Sequence, residues 1–378
     1  MRPVRRNQAP FWRRDTNGRS RSRLPLRLGL VLLLAVLGVT AVVSAQSGGL
    51  DVNYSRYWKA GPNGVPEHAT HHTFISSYLK APYNEVGLVV YTPPGYDNPD
   101  NQNQRYPVIY FLHGVNGNEL NYFNSFPNLN SGPMGYIEGT VSTNRQIPDA
   151  IFVLVNGGRK SFYNDFTDQY HGPDSDFPIQ SESIIINEVI PYVDTNYRTV
   201  ANGNGRGIEG FSMGGRGALK LAMKYPDMFC STIAYAGAAY EEIPINEYHR
   251  GAHAPEDQIS NILVNNLAQI NQTGLQIRMA VGADDLPRVR TNDIFHEQLN
   301  ACNVPHEYEI QPNINHQIDD LYRTIGDIGL EFHRNCFAAN GALSQPATAV
   351  IAAAAGDHFT YLPFINNPQT TPTASCNG

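Results

Sequence analysis

The chain has 378 residues, 41% of them hydrophobic and 10% aromatic, and a formal charge of −7. With 16 Phe and 21 Tyr it is no disordered polymer, and its length suits one large α/β domain or two small ones. Nine arginines and one acid fall in the first 45 residues, whereas residues 46–378 carry 18 Lys and Arg against 33 Asp and Glu. Such an acidic body has no basic stripe to neutralise phosphates, which argues against nucleic acid as a partner.

The basic start leads into "LGLVLLLAVLGVTAVV" (28–43) and the small-residue exit "VSA" (43–45), the layout of a signal peptide cleaved after Ala45. The apolar run is shorter than the roughly 20 residues of a spanning helix. If uncleaved, this segment is the only expected membrane contact, so the mature protein is expected to be secreted or periplasmic. Residues 46–70 read as a polar lead-in.

"HHTFISSYLK" (71–80) and "NEVGLVVYTPPGY" (84–96) look like paired strands closed by a Pro-Gly turn. "YPVIYFLHG" (106–114), "AIFVLVNGG" (150–158), "RGIEGF" (206–211), "STIAYAG" (231–237) and "LQIRMAVG" (275–282) are nearly continuous apolar runs, as expected of strands buried on both faces of a parallel sheet. "HEYEIQP" (306–312) alternates in part. Helical spacing covers 181–197, 214–226, 290–302 and 317–336. Strands alternating with helices predict an α/β domain over 71–336, a mostly parallel sheet with helices on both faces. Residues 117–145 and 238–274 interrupt the pattern and are expected to form a pocket rim or cap. Residues 337–378 read as a C-terminal tail with room for one added strand.

All four cysteines follow the leader, so disulfides are permissible. No CxxC pair occurs, and neither a metal nor a cofactor is expected. Cys230, in an apolar run, reads as a buried thiol; Cys302 and Cys336 end two predicted helices and are the expected bridge.

"GFSMGG" (210–215) places Ser212 between a strand and a helix in a G-x-S-x-G pattern. In this setting the serine backbone is strained, its hydroxyl stands clear of the sheet, and flanking side chains larger than hydrogen would collide. Met213 N–H, at the helix start, is placed to bind an oxyanion. The second donor is expected from the turn in "FLHGVNGNE" (111–119), from Val115 N–H or, less favoured, Gly114 N–H. His113 in that turn reads as a structural residue that hydrogen-bonds the loop.

A serine nucleophile needs a base, and the base needs an orienting acid, in the order Ser, Asp or Glu, His. "GADD" (282–285) ends a predicted strand; Asp285 is favoured as the acid, with Asp284 in reserve. Among twelve histidines, His316 alone lies in a polar loop after the last core strand. His306 starts that strand, His296 lies inside a helix, and His333 lies near a helix C-terminus, where a cation is favoured. The aromatic and acidic stretch 157–177 suits a sugar or aromatic acyl group, with Phe162, Tyr163 and Asp165 as pocket candidates.

"YTPPGYDN…RYPVIYFLHGVNGNE", "INEVIPYVDTNYR", "GFSMGGRGALKLAMKYPDMF" and "GADD…HEQLNACNVPHEYEIQPNINH" together resemble the putative-esterase (feruloyl esterase-like) family of α/β-hydrolases over residues 75–335. That family includes feruloyl and acetyl xylan esterases, S-formylglutathione hydrolases, enterochelin esterases and mycolyltransferases. The resemblance implies the α/β-hydrolase fold, Ser212 as nucleophile, Asp285 as acid and His316 as base. Two departures stand out. The base loop reads "NINHQ" where members often have "GGHD", and Glu209 replaces a small or apolar residue. A carboxylate in a buried strand requires a partner; an arginine, a second pocket and a structural role are all open for Glu209.

The expected function is a secreted serine carboxylic-ester hydrolase acting through an acyl-enzyme, with carbohydrate-linked feruloyl or acetyl esters as the substrate class. An acyltransferase on the same fold and a non-catalytic binding module are the alternatives.

Overall fold

The computed structural model describes residues 58–59, 65, 69–79, 81, 84–124, 149–165, 180–237, 242–243, 251–343 and 376, all within one unit, Asn53–Gly378. The leader, most of the lead-in and residues 344–375 lie outside the described residues.

The apolar runs become strands because neither of their faces meets water. Val108–Leu112 (β3), Ile151–Val155 (β4) and Ser231–Tyr235 (β6) are buried at every position. Arg206–Phe211 (β5) is buried except at its last residue. With Ala69–Ile75 (β1), Glu85–Tyr91 (β2), Gln276–Gly282 (β9) and His306–Gln311 (β10) they form one eight-stranded sheet in the order β1-β2-β4-β3-β5-β6-β9-β10. β2 runs antiparallel to β1 and β4, and every other pairing is parallel. A separate two-stranded ribbon pairs Glu242–Ile243 (β7) with Gly251–Ala252 (β8).

Helix α1 runs through Ser181–Ile184, Ile185–Val189 and Ile190–Asn196; its middle piece is π-wound just ahead of Pro191, which has no N–H to offer the ladder. Helices α2 (Met213–Lys224), α3 (Ile259–Thr273) and α4 (Leu286–Ala301) follow β5, β8 and β9, and α5 (Ile318–Ala339) follows β10. Two cores result. Ile184, Val193, Leu219, Leu221, Ile262 and Leu299 of α1–α4 pack in one. Leu321, Tyr322, Ile325, Leu330 and Phe337 of α5 pack in the other, with Phe111, Ile233 and Val281. The domain therefore has the α/β-hydrolase architecture, a mostly parallel sheet between helical layers.

Two expectations need correction. The segment 238–274 is not simply an interruption, since its second half is the 15-residue helix α3. The disulfides are Cys230–Cys336 and Cys302–Cys376, not Cys302–Cys336, and Cys230 is no free thiol. Cys302 belongs to the α1–α4 core, whereas Cys336 and Cys230 belong to the α5 core, so the sheet separates the expected pair.

Candidate active site

The parallel register lines up the carboxyl ends of the central strands. Gly210 lies opposite Leu112 of β3 and Ala234 of β6, so chain leaving β5 emerges at the same edge as the turn after β3. Ser212 follows with φ 55° and ψ −115°, an unfavourable conformation for a residue with a Cβ. A Cβ on Gly214 would lie 1.9 Å from the Leu112 carbonyl oxygen, and one on Gly210 would lie 2.5 Å from the Gly214 backbone. The two glycines thus allow α2 to start directly against β3 while Ser212 turns the chain.

His316 Nε2 lies 2.9 Å from Ser212 Oγ, and His316 Nδ1 lies 2.5 Å from Asp285 Oδ2. The three residues are 104 and 31 positions apart in the chain. Asp285 sits at the N-cap of α4, but its carboxylate makes no cap hydrogen bond and turns to the imidazole instead. Asp284 is exposed, and its backbone N–H holds the Ile314 carbonyl at 2.9 Å. Ser212 and Asp285 are buried, while the His316 side chain keeps a third of its surface open. The Phe211 ring packs 4.6 Å from the imidazole, centre to centre, and limits its rotation.

Met213 N–H is the first of α2 and has no acceptor inside its helix. The turn after β3 runs beside Ser212: a Cβ built on Gly114 would lie 3.6 Å from Ser212 Cβ. Val115 follows, half-buried, and Asn116, at φ 63°, donates its N–H to the Arg159 carbonyl. His113 stiffens this turn from below. Its Nδ1–H donates to the Gly114 carbonyl and its Nε2 accepts from Gly157 N–H. Burial, opposed by the Gly114 bond and nearby Glu119, brings its pKa down to about 4, so the ring stays neutral.

The pocket candidates separate. Phe162 and Tyr163 are almost wholly buried, turned inward by φ values of 52° and 57°. Tyr163 Oη donates to the His113 carbonyl, so the ring supports the turn from inside and does not face a ligand. Asp165 is half-buried and binds Ser183 at the start of α1 through that residue's N–H and hydroxyl; burial raises its pKa and the Ser183 bonds oppose the rise. Residues 166–177, the rest of that aromatic stretch, lie outside the described residues.

The family model described as "Putative esterase" matches residues 80–320. The chain belongs to this esterase family. An esterase of Mycobacterium tuberculosis is 34% identical over 134 residues, 35% of this chain and 26% of that protein. An endo-1,4-beta-xylanase/feruloyl esterase of Xylanibacter ruminicola is 32% identical over 158 residues, 41% of this chain and 20% of that protein. The chain thus spans about a quarter or less of the length of these relatives. A solved ferulic acid esterase superposes with a TM-score of 0.56 at 19% identity, over 71% of this chain and 98% of its own.

Sequence reasoning marked Glu209 but not its partners, and passed over Lys220. Glu209 on β5 accepts from Tyr322 Oη at 3.0 Å and bonds His333 Nε2 at 3.1 Å; its partners are a tyrosine and a histidine, not an arginine. His333 is buried, with its Nδ1 bonded to Ser231 Oγ. On the other face, buried Lys220 of α2 bonds Glu182 at 2.5 Å, Asp257 at 2.7 Å and the Tyr163 carbonyl at 2.8 Å. The lone acid in "RGIEGF" and the lone lysine in "GALKLA" were the available signals, since charges in apolar runs need partners.

Among the described residues no cluster of three or more His, Cys, Asp or Glu side chains could hold a metal ion, and no helix is long and apolar enough to cross a membrane.

Proposed function

We propose that the protein is a secreted serine carboxylic-ester hydrolase that works through an acyl-enzyme on carbohydrate-linked feruloyl or acetyl esters. The observation that carries this reading is the unbroken chain from Ser212 Oγ to His316 Nε2 and from His316 Nδ1 to Asp285 Oδ2. Ser212 Oγ–H donates to the free Nε2 lone pair, which takes the proton as oxygen attacks the ester carbonyl. Asp285 accepts from Nδ1–H, which fixes the tautomer and stabilises the imidazolium. The carbonyl oxygen, now negative, meets Met213 N–H and Val115 N–H. His316 returns the proton to the departing alcohol, and water repeats the sequence on the acyl-enzyme.

The substrate class rests on family membership and on the relative named endo-1,4-beta-xylanase/feruloyl esterase. Export fits the two disulfides, since such bonds persist in oxidising compartments. Ser212→Ala is expected to lower kcat on p-nitrophenyl acetate by about 10⁴-fold or more, and near-normal turnover would refute the assignment. A panel of methyl ferulate, acetylated xylan and longer acyl esters tests the substrate class. Acceptor alcohols added to the same assay should give no transester product; its accumulation would favour acyl transfer.

A further inference from the structure

The side chains of Glu209, Tyr322 and His333 touch none of the reacting atoms, yet they join the elements that carry them. We infer that Glu209 is a positioning residue: through Tyr322 and His333 it sets α5, and with it His316, at the distance from β5 that brings His316 Nε2 to Ser212 Oγ. This inference rests on reading Ser212 and His316 as nucleophile and base.

Glu209 lies three residues ahead of Ser212 on β5 and is 1% exposed. Its two oxygens are taken by two residues of the same helix, Tyr322 and His333, eleven positions apart. Eleven residues make about three helical turns, so both side chains leave the same face of α5. Gly207, on the same face of β5 as Glu209, makes room for the ring: a Cβ there would lie 2.6 Å from His333 Nδ1. That Nδ1 bonds Ser231 Oγ of β6 at 2.7 Å. One turn further on, Cys336 is bonded to Cys230, the residue before Ser231.

His316 is suspended between two anchors. On one side the Ile314 carbonyl accepts from Asp284 N–H at 2.9 Å, which ties the base loop to the segment that carries Asp285. On the other side Tyr322 hangs from Glu209, which ties it to the strand that carries Ser212. A leucine at 209 would fill a core position as well and avoid burying a carboxylate. What the carboxylate adds is a fixed length and direction between β5 and α5. A displacement of about 1 Å between reacting groups costs on the order of 10²-fold in rate.

The test compares Glu209→Gln, Glu209→Leu and Tyr322→Phe on p-nitrophenyl acetate, each assayed well below its own Tm, with Ser212→Ala alongside. Glu209→Leu should lose about 10- to 100-fold in kcat with KM little changed, and Tyr322→Phe about tenfold. Glu209→Gln should stay within about threefold of wild type, because its amide still accepts from Tyr322 and donates to His333 once the ring proton moves to Nδ1. The imidazole ¹⁵N resonances of His316 supply a readout independent of turnover: sharp in wild type, broadened in Glu209→Leu. Folded Glu209→Leu and Tyr322→Phe enzymes with lowered Tm, wild-type kcat and unbroadened His316 resonances would overturn the inference, as would equal losses in the Gln and Leu variants. Should Glu209→Leu fail to fold, Tyr322→Phe is judged by the same criteria. If wild type shows no Ser212-dependent turnover, the ester-hydrolase reading falls, and the His316 resonances still decide on the clamp.

Discussion

The two faces of the sheet hold their helices by different chemistry. On the α1–α4 face, the helix that begins at Met213 is fastened by charge: Lys220, fully buried, reaches Glu182 of α1 and Asp257 ahead of α3, and Lys224 reaches Glu182 again. On the other face α5 is fastened by the hydrogen-bonded Glu209 carboxylate, the bond of His333 to Ser231 and the Cys230–Cys336 disulfide. The serine side has a strained residue to restrain, and several ionic contacts to neighbouring segments resist any relaxation of α2. The imidazole side needs one helix set at one height above two strands, and few directional bonds suffice.

Two carboxyls, Glu182 on the α1–α4 face and Asp319 on the α5 face, respond oppositely to pH. Burial tends to raise the pKa of Glu182, but Lys220, Lys224 and Tyr225 outweigh it and bring it down to about 2. Burial brings Asp319, in the first turn of α5, up to about 6, against a smaller opposing pull from Arg323. A depressed carboxyl stabilises the fold above its unfolded pKa and loses that contribution as pH falls through its folded value. A raised one does the reverse: Asp319 costs stability as pH climbs from about 4 through 6.

Breaking the charged face should have the largest effect on stability. Lys220→Met leaves Glu182 and Asp257 buried without their central cation, and urea denaturation at pH 7 should show a loss of about 3–5 kcal/mol. Next comes the covalent fastening of α5: Cys230→Ser with Cys336→Ser should cost about 2–5 kcal/mol by the same measurement. If Lys220→Met costs less than the cysteine pair, the contrast between the faces is wrong. Asp319→Asn sharpens the pH argument: it should stabilise at pH 8, where the wild-type carboxylate is charged, and by almost nothing at pH 4. A gain that is the same at both pH values would sink it. The smallest effect is expected at Arg323→Ala, which breaks an exposed ion pair with Asp320 and should change stability by at most about 0.5 kcal/mol.

The central sheet was legible because doubly buried strands leave almost no polar residue in their runs, and "VIYFL" or "STIAY" permits few other readings. Helix α3 was not. "ISNILVNNLAQINQT" carries four asparagines, which weaken helix propensity, yet Ile259, Ile262, Leu263 and Ile270 all face the core at helical spacing. Periodicity outweighed composition there. Ser212, Asp285 and His316 could be chosen because each sits at a carboxyl strand end, where chain order and loop address narrow the candidates. Phe162 and Tyr163 misled because an aromatic loop looks the same in sequence whether its φ angles turn it outward or inward. The Glu209 carboxylate announced that a partner was required, but Tyr322 and His333 lie 113 and 124 residues away and nothing local points to them. Cysteine pairing failed for a related reason: which side of a sheet a helix covers is a property of the whole crossover sequence.

The bond between Cys302 and Cys376 closes a loop of 74 residues that contains β10, His316 and all of α5. A protease that cleaves one peptide bond anywhere between these cysteines leaves both pieces joined through sulfur. Nicked material should therefore migrate as intact chain on a denaturing gel until a reductant is added, and the imidazole would remain covalently leashed to the serine half of the molecule after the cut.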